Sequence, residues 1–180
     1  IVQSLVGSEM CIRDRYVMDK HLIIFVRTPY VKDKDKNEQL KAYLRSMVHT
    51  ASITSKIDAS KHIYYDKHIE NDSVFNDEVF QKKIHKTVLP KQQLADALKE
   101  SFGQWAKKVV FMSSESMEVS QKDIDLVFEQ LKISEFVILP KLKGGVLIFG
   151  TTFFDSDFLN YFPWETEDDL LDTIILLQKG

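Results

Sequence analysis

The run His21 to Val26, HLIIFV, constrains the fold more than any other part of the chain. After its histidine no polar residue alternates with the apolar ones, and Arg27, Thr28 and Pro29 close it abruptly. A strand of this kind has to be covered on both faces, the usual condition of a parallel sheet flanked by helices. The segments that follow fit that expectation. Asn37 to Ser55 carries Leu40, Tyr43, Leu44, Met47, Val48 and Ala51 at the three-and-four spacing of an amphipathic helix. His62 to Tyr65 reads as a short strand, and Lys86 to Leu89 as a third one stopped by Pro90. A second helix then places Leu94, Ala97, Leu98, Phe102 and Trp105 on one face, and Val109 to Met112 is a strand ending in the polar turn Ser113 to Ser116. Ser120 followed by Asp123 has the form of a capping box, with Ile124, Val127, Phe128 and Leu131 as the buried stripe of its helix. Phe136 to Gly150, FVILPKLKGGVLIFG, is strand, tight turn, strand. Asp155 or Ser156 is placed to cap a short helix through Phe162, and Thr166 with Asp169 to cap a last one over Leu170 to Leu177. Strands alternating with helices predict an α/β domain with a mostly parallel central sheet.

Several function classes are disfavoured by composition. The run Leu5 to Asp14, LVGSEMCIRD, resembles the frame translation of a transposase sequencing adapter, so residues 1 to 17 are expected to be a non-native leader and Met18 the native start. The single cysteine, Cys11, falls inside that leader, which leaves residues 18 to 180, expected to form one domain, without a thiol nucleophile or a disulfide. A net charge of −3 provides no basic footprint for nucleic acid. No apolar run approaches the roughly 20 residues that span a bilayer. A cytoplasmic protein is expected. The sequence contains no P-loop, no Gly-x-Gly-x-x-Gly, no His-Glu-x-x-His and no Gly-x-Ser-x-Gly. His62, Asp66 and His68 are a loose set of metal-ligand types and are expected to be surface residues.

The order of segments from Leu22 to Leu177 resembles the nucleotide-diphospho-sugar transferase-like family known as rSAM/selenodomain-associated transferase 1. The likeness rests on the first strand with its proline, the strand ending Tyr64-Tyr65-Asp66, the helix start Gln93-Leu94-Ala95-Asp96, the strand and turn from Val109, the Gly144-Gly145 pair, and Phe162-Pro163-Trp164-Glu165-Thr166. It implies a glycosyltransferase A-like, Rossmann-like fold: a three-layer α/β/α sandwich with a mostly parallel central sheet. It further implies a nucleotide-sugar donor as partner, with Mg²⁺ or Mn²⁺ as a cofactor bridging the donor's phosphates. Relatives usually continue past the equivalent of Gly180, so a truncated C-terminus is expected.

This chain departs from the family pattern at each loop that carries charge. After the first strand, Tyr30 to Asn37 has no glycine and no arginine where the family has a Gly-containing loop ending in Lys-Thr-Arg-Leu; Lys32, Lys34 and Lys36 are the candidate phosphate contacts, or members of a solvated loop. After the fourth strand, Ser114-Glu115-Ser116-Met117 stands where the family has Ser-Asp-x-Pro, and Glu115 is either the metal ligand that the resemblance implies or an exposed acid near a helix start. After the fifth, Lys143 replaces the Asp of Asp-Gly-Gly-Tyr and Val146 the Tyr. Lys143, Gly144 and Gly145 are then either a phosphate-binding turn or a plain hairpin turn. Asp155-Ser156-Asp157 has the Asp-x-Asp form associated with metal-dependent sugar transferases, but it follows the paired strands and opens a helix, where acids stabilise the N-terminal dipole without a ligand; a metal site and a helix start are its two readings. Two functions stay open: transfer of a sugar or related group from a nucleotide-diphosphate donor, and a catalytically silent homologue that binds a nucleotide or a protein.

Overall fold

A computed structural model describes residues 18–29, 36–67, 73–141 and 145–161. Among them six strands form one sheet: β1 (Lys20–Val26), β2 (Ser60–Tyr65), β3 (Phe80–Ile84), β4 (Lys108–Ser113), β5 (Phe136–Pro140) and β6 (Val146–Thr151). The helices are α1 (Lys36–Thr54), α2 (Pro90–Gly103), α3 (Gln121–Gln130) and the short α4 (Ser156–Tyr161). The strand order is β3-β2-β1-β4-β6-β5. β1 pairs in parallel with both β2 and β4, and β2 with β3, whereas β6 runs antiparallel to β4 and to β5. β5 therefore points the same way as β1 to β4. The sheet is mixed and mostly parallel, as the unbroken apolar run of β1 requires.

Alternation along β1 divides the core in two. Leu22, Ile24 and Val26 pack with Met47 of α1 and with Ile124, Val127 and Phe128 of α3. Ile23 and Phe25, on the other face, pack with Leu94, Ala97 and Leu98 of α2 and Leu159 of α4. Each fully buried side chain of this size contributes on the order of 1.5–3 kcal/mol relative to exposure. Gly150 of β6 allows α3 to approach closely, since a Cβ there would lie 2.7 Å from Val127 Cγ1 and 2.9 Å from Leu131 Cδ1. The capping box forms as the sequence predicts: the Asp123 N–H donates to Ser120 Oγ, and the Ser120 N–H donates to Asp123 Oδ2 at 2.8 Å.

Two local expectations are overturned. The third strand is Phe80–Ile84, not Lys86 to Leu89. At the sheet edge only Phe80 of β3 is buried, so the strand shows no apolar run, whereas Val88 is 88% exposed in the loop that leads to α2. Trp105 does not continue the apolar face of α2. It lies beyond the helix at φ +70° and is 79% exposed, with its N–H donating to Phe102 O and the next N–H, of Ala106, to Ser101 O. The expected leader and the expected helix from Leu170 to Leu177 lie outside the described residues. No described helix is long and apolar enough to cross a membrane.

Candidate functional site

In open sheets of this type, ligands bind beyond the carboxyl ends of the parallel strands at the point where the strand order switches direction. Here that point lies between β1 and β4, because β2 and β3 extend the sheet from one side and β6 and β5 from the other. Arg27 follows β1, Glu115 stands two residues past β4, and Lys141 directly follows β5. All three line one cleft of about 160 Å³, whose apolar wall includes Phe25, Leu94, Phe111 and Val146.

The backbone beneath these side chains is held firmly. The Ser114 N–H donates to Phe25 O at 2.9 Å, Thr50 Oγ1 of α1 donates to Ser114 O at 3.2 Å, and the Glu115 N–H donates to Ser113 Oγ at 3.3 Å. Glu115 thus has a fixed main chain and an exposed carboxylate. Across the edge, the Thr28 N–H and hydroxyl both donate to Asp66 Oδ1, at 3.3 and 2.8 Å, which fastens the segment after β1 to the end of β2. The Lys141 N–H donates to Gly145 O at 3.0 Å, and Gly145 takes φ +82°, a conformation that favours glycine.

Of the residues expected from sequence, Glu115 lies in this cleft and Gly145 forms the turn beside it. Lys36 starts α1 as an exposed residue and is not among those lining the cleft. Lys32, Lys34, Lys143 and Gly144 lie outside the described residues, as do His68 and Trp164. Arg27 and Lys141 were not among the sequence candidates. Arg27 was legible as the residue that closes β1, and Lys141 as the first cation after the β5 proline. Asp155-Ser156-Asp157 behaves as a helix cap, with the Asp157 N–H donating to Asp155 Oδ1 at 2.8 Å. Among the described residues, no group of three His, Cys, Asp or Glu side chains could hold a metal.

The surface expectation for His62 is corrected. It is buried in β2, with Nε2 3.1 Å from Nδ1 of the buried His21, because its register places it on the α2 face of the sheet. Burial, then the nearby Lys83 charge, lowers its pKa to about 3.

A larger cleft, of about 630 Å³, lies between β3 and α2. In it the Lys83 ammonium donates to Glu100 Oε1 at 2.6 Å and the Tyr64 hydroxyl donates to Glu100 Oε2 at 3.0 Å. Burial alone pushes the Glu100 carboxyl up, but the hydrogen bond and charge of Lys83 outweigh it and hold the pKa below the usual value. Burial, reinforced by Glu100, raises the Tyr64 phenol. Size alone does not select between the two clefts. The smaller one sits at the switch point and collects charge from three strand ends.

No protein-family model and no curated protein sequence matches the chain. Solved structures do match its fold. One, from Desulfovibrio desulfuricans G20 and provisionally assigned as a nucleotide-diphospho-sugar transferase, superposes with a TM-score of 0.70 at 15% identity, over 90% of this chain and 76% of that one. Another, a CMP:2-keto-3-deoxy-manno-octonic acid synthetase complexed with CTP, gives a TM-score of 0.51 at 9% identity, over 89% of this chain and 86% of that one. At these identities the likeness shows the fold alone: the chain shares its mixed, mostly parallel α/β sheet with these two structures.

Proposed function

We propose that the protein is a nucleotide-dependent transferase of the glycosyltransferase A-like class, a three-layer α/β/α domain whose cleft at the β1/β4 switch point takes the diphosphate of a nucleotide-sugar donor. One observation carries this reading: Arg27, Glu115 and Lys141, delivered by three separate strand ends, line one cleft at that switch point. The two cations neutralise phosphate charge, with Arg27 suited to a bidentate grip and Lys141 to a point contact. Lys32, Lys34, Lys36 and Lys143 belong to the same proposal as additional phosphate contacts, and the Gly144-Gly145 turn as a place where backbone comes close to the donor.

Glu115 fits a divalent ion only as one ligand among several. Mg²⁺ and Mn²⁺ accept one or two carboxylates together with phosphate oxygens and water, and Glu115 is the carboxylate lining this cleft. Such an ion would neutralise charge on a departing phosphate. Arg27 and Lys141 supply part of the same neutralisation from the chain itself, so dependence on the ion is expected to be partial.

The test is release of nucleoside diphosphate from a panel of nucleotide sugars, with Mn²⁺ varied, for the native protein and for Glu115→Gln. Turnover that weakens in Glu115→Gln and loses part of its Mn²⁺ dependence supports the reading. A nucleotide that binds without turnover assigns the chain to the silent, nucleotide-binding alternative. No binding and no turnover would reject both.

A further inference from the structure

The cleft between β3 and α2 has features that the proposed transferase does not use. Its two carboxylates are already engaged: Glu100 by Lys83 and Tyr64, and Asp96 by the Gln92 side-chain amide at 2.8 Å. Lys86 and Lys99 line the same cleft, and neither makes an ion pair among the described residues. The His85 ring is fixed on two sides. It stacks on Tyr64 with centroids 5.3 Å apart at 21°, and meets Phe25 edge-on at 4.3 Å and 80°. No described residue accepts or donates a hydrogen bond at its ring nitrogens. Three lysines against two carboxylates leave the cleft net positive, and its volume of about 630 Å³ is that of an ordinary small-molecule site.

We infer that the cleft between β3 and α2 is a second binding site, for a small molecule bearing a phosphate or carboxylate group, held by Lys86, Lys99 and the His85 imidazole. The two ammoniums provide the charge. The imidazole, oriented by its two aromatic neighbours, provides a directed hydrogen bond. The Lys83–Glu100–Tyr64 cluster forms a neutralised floor, and the charge of Asp96, which is held by the neutral Gln92 amide, is outweighed by Lys86 and Lys99 together. Phe25 lines the first cleft and touches His85, so the two clefts share a wall. The inference does not depend on the first cleft being a transferase site.

The experiment is an NMR titration of the histidine ring signals in the full chain with inorganic phosphate and, separately, acetate, at ionic strength held constant with chloride. The His85 signals are expected to shift saturably, and the K86Q/K99Q double variant to bind about tenfold more weakly. His49, whose Nε2 lies 2.9 Å from Val119 O on the opposite face of the sheet, reports that the variant is folded. Saturation by phosphate alone or by acetate alone supports the site and assigns the ligand group. In the native protein, binding must also weaken as salt is raised, because the contacts are ionic. A shift that stays linear in both anions, or an affinity unchanged in the double variant or by salt, would overturn the inference.

Discussion

His21 and His62 lie on adjacent parallel strands, both buried, with Nδ1 of one 3.1 Å from Nε2 of the other. Burial lowers both pKa values, that of His62 from 6.5 to about 3. The native state therefore binds fewer protons than the unfolded chain between those two values, so stability is complete above about pH 6.5 and falls as pH drops toward 3. The loss expected from His62 is on the order of a few kcal/mol, and His21 acts in the same direction. Urea denaturation midpoints measured from pH 7 to pH 4 should fall steadily, and His62→Leu should flatten that slope whatever it does to stability at pH 7. An unchanged slope would show that the pair does not govern the acid response.

Gly150→Ala should destabilise by about 1–3 kcal/mol, because its new Cβ would overlap Val127 Cγ1 and crowd Leu131 Cδ1. Combining it with Val127→Ala should cost less than the sum of the two single changes, since the added methyl then occupies the space that Val127 leaves. Equilibrium urea unfolding of the three variants checks this.

Trp105→Gly should stabilise the fold by about 0.5–1 kcal/mol. A left-handed conformation costs a bulky residue more than it costs glycine, and a side chain 79% exposed loses little packing when removed. The greater freedom of glycine in the unfolded chain offsets part of the gain. A fall in the thermal midpoint would mean that the indole contributes packing that its exposure does not suggest.

The fold was legible where burial imposes a pattern. β1 is apolar from Leu22 to Val26 because both its neighbours and both its faces are protein, and α3 is marked by Ser120, Asp123 and a buried stripe. β3 was not legible, since an edge strand with a single buried residue looks like loop. His62 was misplaced because register, not residue type, decides which face of a sheet a side chain takes. In the candidate site, Glu115 was found through its position after β4. Arg27 and Lys141 are hidden in the sequence because they sit at the strand ends themselves, ahead of the loop stretches from Tyr30 and around Lys143 where the family pattern carries its charge.

In the proposed transferase, Arg27 and Lys141 hold the phosphates of a nucleotide at the switch point between β1 and β4. Thermal denaturation of the native protein and of the R27A/K141A double variant, each titrated with nucleoside diphosphates in the presence and absence of Mn²⁺, tests it most directly. A ligand at one hundred times its dissociation constant stabilises by about 2.7 kcal/mol, so at least one nucleotide should raise the native midpoint by several degrees. The double variant should keep its unliganded midpoint and lose most of that rise. A native midpoint that no nucleotide moves, or an equal rise in the double variant, would contradict the account.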